Sequence, residues 1–254
     1  MLSKLIRFFG SSIEEEIVAS FGDVVLGEKK LVRRKFGESL LENGQKIAKR
    51  GIDILVSGLL ICISWPLFLF IAAAIKISSK GPVFFKQERV GYHGNIFLLW
   101  KFRTMKYETS EEEHRKYVQY LLKEGNKAER KIDLLTNYIA YVDSKTTKVG
   151  RFLRTTSLDE LPQLLNILKG DMSLVGPRPH PVYEVKEYKE WYKRRLDVKP
   201  GLTGWSKLNL RCTPKNYEEA ILYDLWYVDN WNLILDIRII LRTIPFVLSM
   251  KDAR

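Results

Sequence analysis

ILVSGLLICISWPLFLFIAAAI, residues Ile54–Ile75, is an uncharged, almost wholly apolar run of 22 residues. As one α-helix it would measure about 33 Å, enough to cross a hydrocarbon core of ~30 Å. Two features argue against a simple span. Ser64-Trp65-Pro66 stands at its middle, and an internal proline removes a backbone hydrogen bond and kinks a helix. Both flanks are also basic: Arg33, Arg34, Lys35, Lys46, Lys49 and Arg50 precede the run, and Lys76, Lys80, Lys86 and Arg89 come after it. A spanning helix usually carries its Lys/Arg excess on one side only. Cations on both sides suit a helix-break-helix that enters and leaves a membrane by the same face, with Ser64 and Pro66 at the break. A buried core helix is the alternative, but so long an uncharged run is unusual in a soluble domain of this size.

Upstream, residues 1–48 form an extension of unknown role. LSKLIRFF is too short an apolar run, without a small-residue cleavage site, for a signal peptide. SSIEEEIVASF reads as a capped helix starting at Ser11 or Ser12, and KKLVRRKF as a solvated basic arm. Downstream, VFFKQERVG and NIFLLWKFRTM flank Tyr92-His93-Gly94 and predict a β-hairpin. Lys101 and Arg103, two apart on a strand, point to one side; they face a phosphate together or simply water. Residues 107–148 are highly charged, with helical spacing on either side of Gly125-Asn126. They predict a helical hairpin inserted into the domain, its Tyr117, Tyr120, Tyr138 and Tyr141 serving as packing surface.

The next stretch is RTTSLDELPQLLNILKGDMSLVGPRP, Arg154–Pro179. Locally it is a helix with good ends. Ser157 is the predicted N-cap, and Glu160 three residues on completes a capping box. Leu158, Leu161, Leu164, Leu165 and Leu168 share a helical face. Lys169-Gly170 is a C-terminal stop. Asp159 then complements the helix dipole, or it does chemistry. Beyond Pro181, YEVKEYKEWYKRRL predicts an amphipathic helix. KPGLTGW predicts a tight loop with exposed backbone, and Thr213-Pro214 starts a helix reaching about Val228. In the last helix Leu233, Ile234, Ile237, Ile240, Leu241 and Ile244 share a face. That face suits a membrane surface with Trp226, Tyr227 and Trp231 nearby, or core packing.

The 254 residues carry a net charge of +12, which favours an anionic partner: nucleic acid, lipid headgroups or a phosphorylated small molecule. Cys62 and Cys212 form no disulfide framework, and His93, His114 and His180 lack zinc-ligand spacing. If the apolar run is in a membrane, a phosphate substrate at the interface becomes attractive. Arg154, Arg178 and Arg211, with Lys101 and Arg103, are candidate contacts, because the guanidinium fork donates to two phosphate oxygens. Asp159-Glu160 beside a diphosphate would be repelled without a divalent cation. Mg²⁺ binds through one or two carboxylates plus substrate phosphates, and a carboxylate can attack phosphorus as a nucleophile. Neighbouring helical side chains diverge by about 100°, so one attacks and the other binds or moves a proton.

On these motifs the sequence resembles the bacterial sugar transferases, the monotopic polyprenyl-phosphate phosphoglycosyl transferases. The resemblance runs from about Lys46 to Met250 and rests on the apolar segment, GPVFFKQERVG, WKFRTM, the run around Asp159, KPGLTGW and YDLWYV. It implies transfer of a hexose-1-phosphate from a UDP-sugar to undecaprenyl phosphate with release of UMP, as the first membrane step of a cell-surface polysaccharide or glycoconjugate pathway. Asp159 would be the covalent nucleophile and Glu160 its partner. Both would hold Mg²⁺, and Lys101, Arg103, Arg154, Arg178 and Arg211 would contact phosphate or nucleotide. The implied fold is mostly α with a small β-hairpin or sheet: extension 1–48, re-entrant membrane helix 49–78, and catalytic domain 79–250 with the 107–148 insertion. That domain would rest on interfacial helices at the cytoplasmic face of the bacterial inner membrane, in contact with membrane lipids and without nucleic acid. The oligomeric state is open, with a homodimer as one option. The family's helix break is often Ser directly followed by Pro, and here Trp65 intervenes. A non-catalytic membrane scaffold and a basic nucleic-acid-binding protein are the alternatives from other classes.

Overall fold

The computed structural model describes residues 40–107, 109, 112–124, 128–210 and 217–248. Ser11, Ser12, Arg211, Cys212, Thr213 and Pro214 lie outside the described residues, as does the side chain of Tyr120. The fold is mostly helical with two small sheets.

Helix α1 runs from Leu40 to Ser78 and contains Pro66. The backbone stays helical through Ser64-Trp65-Pro66, so the expected break is not a gap in the helix. The Ser64 hydroxyl donates to the Leu60 carbonyl at 2.6 Å, a back-bond of the kind that bends helices without ending them. The middle of α1 faces outward, with Leu55, Leu59, Ile63, Trp65 and Phe70 all exposed. Its two ends do not. Near the N-terminal end, the Asp53 carboxylate accepts from Ser173 Oγ at 3.1 Å and Leu174 N at 2.9 Å. Arg50 donates to the carbonyls of Ile167 and Leu168 at 2.6 and 2.8 Å. Near the other end, Ile71 and Ile75 enter a core cluster with Phe102 and Leu153.

The predicted hairpin forms. Strands β1 (Phe84–Val90) and β2 (Ile96–Phe102) pair antiparallel, Phe84 opposite Phe102 and Val90 opposite Ile96. Its turn holds His93 at φ 53°. β2 ends one residue before Arg103, so strand alternation does not carry to that side chain. Helices α2 (Glu112–Glu124) and α3 (Ala128–Lys145) form the insertion. Its ends are zipped together by Lys106 N to Lys145 O at 3.0 Å and Thr147 N to Thr104 O at 3.0 Å. The insertion thus leaves and re-enters the domain at one point. Tyr117 and Tyr138 stack 4.7 Å apart, which is packing as expected.

Helix α4 (Lys148–Thr155) is capped by the Thr147 hydroxyl, which accepts from Gly150 N at 2.9 Å. The chain beyond α4 departs from the predicted helix. Ser157 is left-handed at φ 55° and makes no side-chain cap, so the capping box does not form. Leu158–Glu160 is a 3₁₀ turn, and Pro162 separates it from α5, Gln163–Lys169. A proline has no N–H to continue the first turn and is favoured where a helix begins. The buried face of α5 is accordingly Gln163, Leu164, Asn166 and Ile167, with Leu165 exposed. Gly170 ends the helix as predicted, at φ 98°.

KPGLTGW is buried rather than looped out. β3 (Ser173–Val175) and β4 (Gly201–Thr203) pair in parallel. Backbones touch here: a Cβ on Gly201 would lie 2.1 Å from Gly176 N, and one on Gly204 2.3 Å from Gly176 O. Gly201→Ala is therefore expected to destabilise the fold by roughly 1–3 kcal/mol, the usual cost of overpacking, read as a lower urea midpoint. The helix predicted after Pro181 is two pieces, α6 (Val182–Val185) and a 3₁₀ segment, Glu190–Asp197. α7 (Trp205–Leu210), α8 (Tyr217–Asn230) and α9 (Leu233–Leu248) complete the described residues. α9 buries Leu235, Asp236 and Ile239 and exposes Ile234, Ile237, Leu241 and Ile244. The core takes the other side of the helix, and the predicted apolar face looks outward.

Candidate active site

Several short segments converge on the 3₁₀ turn. From β2, Lys101 Nζ reaches Glu160 Oε1 at 3.0 Å and Asp159 Oδ2 at 3.8 Å. From α7, Lys207 Nζ donates to Glu160 Oε2 at 2.8 Å. From the loop after β3, Arg178 Nη1 stands 4.0 Å from Glu160 Oε1. Glu160, Lys101, Lys207, Arg178 and the buried Gln163 line an open cleft with Gly176 and Gly201–Gly204. Asp159, next to Glu160 in the chain, is 8% exposed.

Asn166 helps hold the hairpin in register with this turn. Asn166 of α5 accepts from Trp100 N at 3.1 Å and donates to Leu98 O at 2.8 Å. That bond pair fixes Lys101 opposite the carboxylates. The Arg178 loop is held by Arg89, which donates to Pro179 O at 2.9 Å, while Pro177 and Pro179 are buried on either side.

The two carboxylates are pushed apart in acidity. Burial raises Asp159, and the neighbouring Glu160 charge adds to this against the pull of Lys101, Arg154 and Lys207. Burial would raise Glu160 too, but Lys101, Lys207 and Arg178 outweigh it and hold Glu160 well below the usual carboxylate range. Adjacent carboxylates in unlike environments are the arrangement that separates two chemical roles.

Of the residues singled out in the sequence, Asp159, Glu160, Lys101 and Arg178 meet. Arg154, exposed on the last turn of α4, lies within electrostatic reach of Asp159. Arg103 does not join them. It is 5% exposed and donates to the carbonyls of Ser79 and Lys80, where it fastens the end of α1. Ser64 and Pro66 belong to the outward-facing part of α1. Lys207 escaped sequence reading, because only the parallel β3–β4 pairing brings its helix to the turn.

For a divalent cation the donor chemistry fits. Two hard carboxylates stand side by side, and the Lys101 ammonium bridges them where positive charge is required. Among the described residues no group of three His, Cys, Asp or Glu gathers.

Beneath the Arg178 loop lies a buried polar cluster. His180 Nδ1 faces the Tyr188 hydroxyl, Glu184 Oε1 at 2.9 Å, Tyr217 OH at 3.2 Å and Arg195 Nη1 at 2.6 Å. Nδ1 thus meets both a guanidinium, which only donates, and a carboxylate, which only accepts. Burial, with Arg195 beside it, pushes His180 down to about 4 from an ordinary 6.5. The unfolded chain therefore binds an extra proton between these values, and stability is lost as pH falls through that window, by about 3 kcal/mol in all. Urea midpoints at pH 7 and pH 4.5 check this, and His180→Gln is expected to flatten the slope.

The profile of the bacterial sugar transferase family matches residues 44–250. The chain belongs to that family. It is 42% identical over 202 residues to an uncharacterized sugar transferase, EpsL, of Bacillus subtilis, covering 80% of this chain and 88% of the relative. The UDP-glucose:undecaprenyl-phosphate glucose-1-phosphate transferase of Escherichia coli is 37% identical over 211 residues, covering 80% of this chain and 41% of that protein. The undecaprenyl-phosphate galactose phosphotransferase of Salmonella typhimurium is 37% identical over 217 residues, covering 85% of this chain and 43% of that protein. The chain thus spans less than half the length of these two sugar transferases, and the matched region contains the whole cleft.

Proposed function

We propose that this sugar transferase moves a hexose-1-phosphate from a UDP-sugar to undecaprenyl phosphate and releases UMP, opening the assembly of a cell-surface polysaccharide or glycoconjugate. The observation that carries the reading is the convergence of Lys101, Lys207 and Arg178 on one member of an adjacent carboxylate pair, in a domain tied to a long apolar helix. The two relatives differ in the sugar they are named for, glucose and galactose, at the same 37% identity, so the hexose itself is left open.

In the first step an Asp159 carboxylate oxygen attacks the phosphorus that bears the sugar. The P–O bond to the uridine-side phosphate breaks, and UMP leaves with the electron pair. In the second step a phosphate oxygen of undecaprenyl phosphate attacks the same phosphorus, and the Asp159 carboxylate is the leaving group. Lys101, Arg178 and Lys207 counter the diphosphate charge, with Arg154 at the rim. Glu160, kept ionised by its lysines, holds those cations over the cleft. Mg²⁺, held by Asp159 and Glu160, would supply further neutralisation of phosphate charge.

The two anchors of α1 support re-entry into the membrane over a span. Lys49, Arg50 and Asp53 bind one side of the domain, and Phe68, Ile71 and Ile75 bind another part of it. A spanning helix would carry these ends to opposite faces about 30 Å apart. Re-entry keeps both at the cytoplasmic face of the inner membrane, with the outward apolar face of α9 lying on the lipid surface. In a Cys62→Ser/Cys212→Ser background, Lys46→Cys and Lys80→Cys are both expected to label with an impermeant reagent from the cytoplasmic side. Labelling of only one rejects re-entry.

A panel of UDP-sugars with undecaprenyl phosphate, with Mg²⁺ or with EDTA, tests the reaction. UMP is the expected product, its release lost in EDTA and restored by Mg²⁺. UDP as the product would mean that the sugar alone moves.

A further inference from the structure

We infer that the buried Arg195–Asp224 pair is a positioning device that sets Arg178 and Lys207 at their places on either side of Glu160. The inference rests on the proposed reaction for its activity readout and on geometry for its content.

The contacts form a closed circuit. Arg195 donates through Nη2 to the Arg178 carbonyl at 2.8 Å and pairs through the same nitrogen with Asp224 Oδ2. The other Asp224 oxygen accepts from Ser206 Oγ at 2.7 Å. Ser206 precedes Lys207 on α7, and Lys207 grips Glu160 Oε2 at 2.8 Å. Arg178 returns to Glu160 Oε1 at 4.0 Å. Arg195, Asp224 and Ser206 are 2%, 3% and 8% exposed, so water does not compete for these bonds. None of the three touches the carboxylate pair. They stand on the 3₁₀ segment Glu190–Asp197, on α8 and on α7, and Ser206 lines the cleft beside Lys207.

An ion pair in this position costs desolvation and is weak evidence of stabilisation by itself. What it supplies is a fixed geometry. Arg195 Nη2 is shared between the loop carbonyl and Asp224, and Nη1 bonds the Tyr188 hydroxyl, so both ends of its fork are held. Moving Asp224 or Ser206 displaces α7, and with it one of the cations that keep Glu160 ionised.

Two mild variants test this. Ser206→Ala removes the bond from Asp224 to α7 and leaves the ion pair intact. Arg195→Lys keeps the charge but has no second nitrogen to hold the Tyr188 hydroxyl while the first bonds Arg178 O and Asp224. Each is assayed for UMP release at one pH across a range of UDP-sugar concentrations, with its melting temperature measured alongside. The expected result is a loss of kcat/KM of roughly five- to tenfold, the equivalent of one to one and a half hydrogen bonds. The loss should lie mainly in KM for the UDP-sugar, because the displaced Arg178 and Lys207 are the cations that meet its diphosphate, and Ser206→Ala should keep the wild-type melting temperature. A wild-type KM in both variants overturns the inference. So does activity that falls only with the folded fraction while KM stays put. Absence of UMP release in the wild-type protein itself would instead count against the proposed reaction.

Discussion

Asp159→Asn is expected to lower UMP release by about 10⁴-fold or more, the scale of losing a covalent nucleophile. Asparagine keeps the shape and buries no charge, so the 3₁₀ turn and the Asn166 tie to the hairpin remain. What disappears is the anionic oxygen. Asp159 is the better candidate of the pair because Lys101 is its nearest cation at 3.8 Å, whereas Glu160 is held at 3.0 and 2.8 Å by two lysines. A carboxylate fastened by two ammonium groups is a poor nucleophile. One with its acidity weakened by burial is a stronger one. Intact mass measured after mixing with UDP-sugar, without undecaprenyl phosphate, gives the decisive readout. The wild-type chain should gain a hexose-phosphate and Asp159→Asn should gain nothing. Turnover of the variant within tenfold of wild type would sink the assignment. Because burial raises Asp159, wild-type activity should also fall on acidification at a higher pH than an ordinary aspartate would give.

Some of this was legible in the chain and some was not, for physical reasons. The hairpin was readable because both strands carry β-rich runs around a turn. The apolar run declared itself by length, and its outward middle agrees with that reading. The Gly170 stop needed only local chemistry. The capping box failed because Pro162 divides the segment and Ser157 is left-handed. Arg103 was placed with Lys101 by strand alternation, but the strand ends at Phe102 and the carbonyls at the end of α1 claim the guanidinium. KPGLTGW looked like an exposed turn because glycine and proline signal turns. Its glycines instead allow two backbones to touch, a fact that resides in the distant Gly176. Lys207 and Arg195 were invisible for the same reason. Each acquires its role only through contacts more than ten residues away in sequence.

Removing both lysines from Glu160 should turn a site residue into a stability defect. Glu160 is largely buried, at 14% side-chain exposure, and Lys101 and Lys207 bind one oxygen each. In Lys101→Met/Lys207→Met the apolar stems are conserved and the charges are lost. Arg178 is half exposed and stands 4.0 Å away, too far to replace two direct contacts. A buried carboxylate stripped of its partners costs about 3–5 kcal/mol, enough to consume much of a domain's stability. The sign of the pH dependence separates this from general damage. In the wild type, Glu160 is held below its ordinary value, so its contribution is present at neutral pH and lost as pH falls through its folded-state pKa. In the double variant burial is opposed only by Arg178 and lifts the folded-state pKa. The deficit relative to wild type should therefore be largest at neutral pH and shrink on acidification, as Glu160 takes up a proton. Urea titrations at pH 7.5 and pH 4.5 measure it. Adding Glu160→Gln to the double variant removes the stranded charge and should recover most of the stability, while UMP release stays lost because the cations that face the diphosphate are gone. A deficit that does not depend on pH, or a triple variant no more stable than the double, would place the lysines elsewhere in the energetics than on Glu160.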